Sequence, residues 1–311
     1  MKALKALKAL KALNLPNFAM MTNKHLRLPK WPDSGQLHHL RLTAMADINE
    51  SLRSRWFIVY SLIFGGIVVA LFMTGLTESR VMGFTGLSRL LVTYLQITMA
   101  ILPIFVLLTT VRSVAGDREA GIFEYLLSLP VSLSAWYWGK MAGRFLVVFL
   151  PVVLAMLVAV VWAALKGADI PWTQVLFYTG FLLSLAWCFL GIGMLISTLV
   201  RAADVAQGVA FILWLVLLLF LDLILLGALV NGGMEPDNVI AIALANPLQV
   251  FRTASMMLFD PQLVMLGPSA YLILDIFGNT AYLLWALFYP IALGMGCAGL
   301  GYWLFQRGDL P

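Results

Sequence analysis

Six stretches of the chain are apolar for long enough to cross a bilayer, each close to or above the roughly 20 residues a spanning helix needs. They run over Trp56–Gly75, Leu90–Val111, Phe145–Leu165, Trp172–Val200, Val205–Val230 and Thr280–Phe305. Ahead of the first run, Leu37, Leu40, Ala44 and Ile48 repeat at helical spacing, as do Met45, Ile48, Leu52 and Trp56. Asp47, Asn49, Glu50, Arg53 and Arg55 lie between them, a pattern that predicts a helix in the membrane interface. An extension of the first span is the plainer alternative. The segments between the runs leave no room for a soluble domain, and the largest is 231–279. The pattern predicts an all-α membrane protein with six spans and an N-terminal interfacial helix.

Composition agrees. Of 311 residues, 62% are hydrophobic and 11% charged, and the mean hydropathy is +0.94. Soluble domains carry roughly 25% charged residues. The net charge of +5 does not indicate nucleic acid, because ten of the twenty Lys and Arg precede the first run. Six spans put both termini on one side, and sixteen of the twenty basic residues then fall on that side. The positive-inside rule makes it cytoplasmic. Residues 1–36 read as a basic, disordered tail and 37–311 as the membrane domain. The opening Lys-Ala-Leu triplets make no clean amphipathic face, and the lysines interrupt any signal-peptide core.

Enzyme and metal signatures are few. There is no GxxxxGK[ST] loop and no HExxH, and His25, His38 and His39 all lie in the basic N-terminal region. Gly294-Met295-Gly296-Cys297-Ala298-Gly299 matches GxGxxG, but it sits within the sixth run with no strand before it. Close helix packing is the better reading there and at Gly139-Lys140-Met141-Ala142-Gly143. Met234, Met256, Met257 and Met265 would suit Cu(I) as soft ligands, yet they also read as packing residues. Asn246–Phe259 is expected to form a short amphipathic helix on the outer face. Asn246-Pro247 would start it, and Arg252 would reach lipid or a periplasmic partner. No metal site is assigned.

The 112–144 loop is the most informative segment. Asp117, Arg118 and Glu119 open it, Ile122, Phe123, Leu126 and Leu127 form an apolar helical face, and Pro130 stops the helix. Trp136, Tyr137 and Trp138 follow, at the expected membrane surface. Such a knob would suit docking to a cytoplasmic partner, and a re-entrant connector is the alternative. Asp117-Arg118-Glu119-Ala120-Gly121 through Leu126-Leu127-Ser128-Leu129-Pro130, with Gly139-Lys140 following, resembles the E-R-E-x-G-T-x-E-x-L-L-x-x-P signature of ABC-2-type permeases. Asp117 replaces the first Glu and Ile122 the Thr. Leu52-Arg53-Ser54-Arg55-Trp56, Gly83-Phe84-Thr85, Phe220-Leu221-Asp222-Leu223 and the Asn246–Arg252 stretch resemble, within that superfamily, the NosY-type permease of nitrous oxide reductase maturation transporters.

This resemblance implies a half-permease of the bacterial inner membrane that works as a homodimer. The 117–130 loop would be a coupling helix on a separate ATPase subunit, with Asp117, Arg118, Glu119, Gly121, Phe123, Glu124, Leu127 and Pro130 as its contacts. ATP and Mg would belong to that ATPase, with no cofactor and no catalytic residue on this chain. Copper-site maturation of nitrous oxide reductase is the implied purpose, by export or by mechanotransmission, with room for a periplasmic accessory protein. A half-exporter of lipid, drug or polysaccharide keeps the same architecture, and an integral membrane enzyme is a third reading. Asp222, the sole acidic residue inside a run, is costly to bury. It is read as a substrate or ion contact or as a packing residue.

Overall fold

Long apolar runs in lipid must satisfy their backbone groups internally, and helices are the local solution. The computed structural model describes residues 34–53, 55–73, 86–122, 132–167, 169–220, 227, 236–259 and 278–308, which contain helices and no strands. In chain order these are α1 (Ser34–Leu52), α2 (Arg55–Met73), α3 (Gly86–Thr110), α4 (Arg112–Glu119) and α5 (Leu133–Leu165). They continue with α6 (Trp172–Leu199), α7 (Ala203–Leu215, prolonged by a π-helical turn at Val216–Phe220), α8 (Pro236–Ala245), α9 (Pro247–Phe259) and α10 (Asn279–Gly308). The chain divides into the units Met1–His38 and His39–Pro311. Of the first, only the opening turn of α1 is described; all the packing below belongs to the second.

Among the described residues four helices are long and apolar enough to cross a membrane alone: Leu90–Glu119, Leu133–Leu165, Trp172–Leu199 and Asn279–Arg307. Leu37–Leu52 and Phe57–Leu71, bent by 70°, qualify together as a fifth. That bend fits an α1 set at an angle to the first span. The expected fifth run is helical and apolar over Ala203–Leu219 but shorter than a span. Residues 221–226 and 228–230, with Asp222, lie outside the described residues.

The third span starts earlier than its charge-free stretch suggests. α5 has 33 residues, about 50 Å of helix against a hydrocarbon core of about 30 Å. Its uncharged part, residues 145–165, is by itself long enough for that core. Trp136 and Tyr137 are buried, stacked on Phe305 of α10 at 5.5 and 6.0 Å, rather than displayed at a membrane surface. α1 also packs on these turns, so both ends of the described chain meet at one end of the bundle.

α6 is the hub, in contact with α3, α4, α5, α7, α9 and α10. Its tightest crossing is with α10, where the Gly191 and Gly294 backbones lie face to face and leave no space for a side chain. Gly139 and Gly143 do the same for α1 on α5. A Cβ at Gly139 would lie 2.8 Å from Leu40 O, and one at Gly143 2.7 Å from Ala44 O. Both glycine motifs thus mark close helix approach.

Three of the long helices contain a proline, and in each the carbonyl three residues before it accepts a hydrogen bond from a neighbouring helix. Tyr60 of α2 donates to Val148 O (2.9 Å), three residues before Pro151. Trp214 of α7 donates to Ala100 O (3.0 Å), three before Pro103. Ser184 of α6 donates to Leu287 O (2.7 Å), three before Pro290. A proline removes the helical hydrogen bond to the carbonyl four residues before it, and here the next carbonyl along is the one bonded from another helix. In a medium without water, partners must come from other helices.

The α6–α10 crossing yields a direct test. Gly191→Ala is expected to cost at least about 1–3 kcal/mol through overpacking. Gly299→Ala, which adds its methyl into open space, should not destabilise, and the better helix propensity of Ala adds up to about 1 kcal/mol. Thermal unfolding of the two variants in detergent, beside wild type, measures the contrast.

Candidate functional site

At the end of the bundle where α1, α4 and the first turns of α5 meet, charged residues gather in an otherwise apolar protein. α3 ends at Thr110 and α4 restarts at Arg112, so the break at Val111 exposes backbone groups that need partners. Ser197, near the end of α6, supplies them. Its hydroxyl donates to Val111 O (2.7 Å) and accepts from Val114 N (2.9 Å) and Ala115 N (3.0 Å). Ser113 Oγ donates to Met194 Sδ at 3.2 Å. One serine thus fastens α4 to α6 at its first turn.

Charges fasten the rest. Lys140 of α5 is buried and pairs with Asp117 of α4, while its Nζ also donates to Ser113 O at 3.0 Å. Arg118 reaches the opposite way, to Val200 O (2.9 Å) and Thr198 O (3.3 Å). Those carbonyls end α6, where a cation is favoured by the helix dipole. Arg144, one turn beyond Lys140, donates to Thr109 O and to Asp47 Oδ1 of α1 (3.3 Å). Burial pushes the Asp47 carboxyl up from its ordinary range, and the Arg144 guanidinium opposes the shift. Burial also holds the Lys140 ammonium below its ordinary value; Arg144 adds to this and Asp117 opposes it.

The residues expected to dock a partner divide into two sets. Asp117 and Arg118 turn inward and act as anchors. Glu119 and Gly121 face outward. Gly121, at φ +68°, closes α4 with its N–H on Arg118 O at 3.1 Å, a left-handed helix end that glycine adopts without strain. Phe123, Glu124, Leu127 and Pro130 lie outside the described residues. Sequence reading gave Lys140, Arg144, Asp47 and Ser197 no role as site residues. The available signal was Lys140 and Arg144 at i, i+4, interleaved with Gly139 and Gly143. The cations line up beside the surface that admits α1.

Asn246 and Pro247 begin α9 as expected, yet both are buried. Asn246 Oδ1 accepts from Leu248 N (3.0 Å), an N-cap, and its Nδ2 donates to Leu217 O in the π turn (2.8 Å). α9 does not lie on an outer surface. Leu248, Val250, Phe251, Ala254 and Met257 face the core, and the helix packs among α3, α6 and α10. Arg252 is half-buried. Met257 is a core residue with Met256 packed beside it, and Met234 and Met265 lie outside the described residues. Among the described residues no three His, Cys, Asp or Glu side chains converge.

The family described as "ABC-2 family transporter protein" matches residues 43–310. The chain belongs to this family. Its described helices and its charged end are thus those of an ABC-2 permease. It is similar to the probable ABC transporter permease protein NosY of Stutzerimonas stutzeri, 26% identical over 223 residues that cover 70% of this chain and 81% of the relative. It is also similar to the protein of the same name from Pseudomonas aeruginosa, 26% identical over 277 residues that cover 85% of this chain and 96% of the relative.

The buried ion pair of this permease can be tested by a double-mutant cycle. Lys140→Met is expected to destabilise by about 3–5 kcal/mol by leaving Asp117 without its partner. Lys140→Met combined with Asp117→Leu should recover most of the loss. The measurement is thermal stability of the detergent-solubilised protein.

Proposed function

We propose that this ABC-2 permease is the membrane half of an ATP-driven transporter whose ATPase is a separate chain. The ATPase docks on the 117–130 segment, in the cytoplasm, and the permease acts as a homodimer in a bacterial inner membrane with both termini cytoplasmic. ATP and Mg are held by the ATPase. The observation that carries this reading is the fastening of α4. The helix leading into the segment is tied to α5 through Asp117–Lys140 and to α6 through Ser197 and Arg118. A push on that segment is therefore delivered to two long helices at once, as a rigid-body switch requires. Within the ABC-2 signature, Asp117, Arg118 and Gly121 anchor and end the helix, leaving Glu119, Phe123, Glu124, Leu127 and Pro130 for the partner.

The likeness to the NosY permeases supports service in nitrous oxide reductase copper-site maturation, by export or by transmitting motion to a periplasmic protein. In this reading Asp222 contacts cargo or an ion, and Arg252 is the residue of the 246–252 stretch that meets a periplasmic partner.

Two experiments test these assignments. Co-purification of the tagged chain with the ATPase encoded beside it should succeed for wild type and fail for Phe123→Asp, with membrane insertion unchanged. Capture by the variant would remove the docking assignment. Asp222→Ala should leave assembly intact and alter activity in a reductase maturation assay. Unchanged activity would make Asp222 a packing residue.

A further inference from the structure

A cavity of about 400 Å³ opens beside the fastened α4, within the size range of ligand sites. α1 and α2 contribute one wall, α3, α4 and α5 the other, and Gln207 of α7 lies at its edge. Its lining is graded along the helices. Along α3 and into α4 it passes from Phe105 and Leu108 through Thr109 to Arg112. On α5 it passes from Val148 and Val147 to Arg144 and Lys140. Both stretches run from apolar to cationic toward the charged end of the bundle, and Phe57 and Tyr60 of α2 face the same space.

The charges on the wall are not equivalent. Lys140 is paired with Asp117, and Arg144 with Asp47 and Thr109 O. Arg112 is exposed, and no described residue pairs with it. Glu50, also exposed, lines the cavity on α1. The space thus offers one uncommitted guanidinium, polar groups at Ser51, Thr109 and Gln207, and an apolar floor a turn deeper. A free small anion would use the first and leave the floor empty. An amphiphile lying along the bilayer normal uses both.

We propose that this cavity binds an anionic phospholipid of the adjoining leaflet, its phosphate on Arg112 and the start of its acyl chains against Phe105, Leu108 and Val147. Arg guanidinium matches phosphate oxygens in planar, two-pronged geometry. The lipid bridges α2, α3 and α5 at the level where α4 is fastened. This binding is independent of the ATPase and of any cargo.

The test uses the full-length chain, delipidated in neutral detergent and titrated with phosphatidylglycerol under native mass spectrometry. Phosphatidylethanolamine is the zwitterionic probe and glycerol 3-phosphate the tail-less one. Arg112→Gln is expected to weaken phosphatidylglycerol binding about five-fold, the effect of one basic residue at an anionic lipid surface. Arg201→Gln, an equal loss of charge at another exposed position, should leave it unchanged. Leu108→Trp, which fills the apolar end, should weaken binding of the same lipid even with Arg112 present. Equal binding by Arg112→Gln and wild type would overturn the proposal, and so would an equal loss in Arg201→Gln. Displacement of the lipid by glycerol 3-phosphate at matching concentration would reassign the cavity to free anions. Equal affinity for phosphatidylethanolamine would remove the requirement for negative charge.

Discussion

A buried lysine organises one whole end of this protein. Taking an ammonium out of water costs several kcal/mol unless charge and hydrogen bonds replace what is lost. Lys140 is placed where it must meet Asp117 and the Ser113 carbonyl, so α4 cannot drift from α5 without stranding a charge. Its neighbours along α5 extend the constraint. Gly139 and Gly143 bring α1 to backbone contact, and Arg144 then reaches Asp47 on the helix they admit. Four residues within two turns, two without side chains and two with long cationic ones, thus decide where two other helices sit.

The far side of α4 is held by different chemistry. Ser197 gives one oxygen to three backbone groups at the α3–α4 break, and Arg118 closes the end of α6. An ion pair on one flank and hydrogen bonds to backbone groups on the other make a stiff base for the segment that follows. In the proposed docking of an ATPase, that segment is where outside force would enter. A stiff base is what turns a local push into displacement of long helices rather than bending of a loop.

Much of the architecture was legible because lipid leaves few alternatives to a helix. The run Trp172–Val200 matches α6 to within one residue, and Thr280–Phe305 matches α10 to within a few. Asn246-Pro247 did mark a helix start, since a capping amide followed by proline is a local signal. What sequence left hidden was long-range. Lys140 and Arg144 stand 23 and 97 positions from the carboxylates they meet, and Ser197 more than 80 from the break it repairs. Hydrophobic spacing also misplaced α9, because a helix buried among three others and one resting on a membrane show similar apolar faces. The aromatic run at Trp136–Trp138 misled for a related reason. An interface belt and the packing of two helix ends favour the same residue types.

The three proline sites give the bundle a particular kind of compliance. Each is a joint in a long helix, and each joint is latched by one side chain from a different helix: α2 holds α5, α7 holds α3, and α6 holds α10. Bending any of these helices near its proline would pull on its latch. Deformation is therefore shared between partners and moves through the molecule as paired displacements. The interior flexes by coordinated couples of helices, and the weakest latch decides which couple yields first.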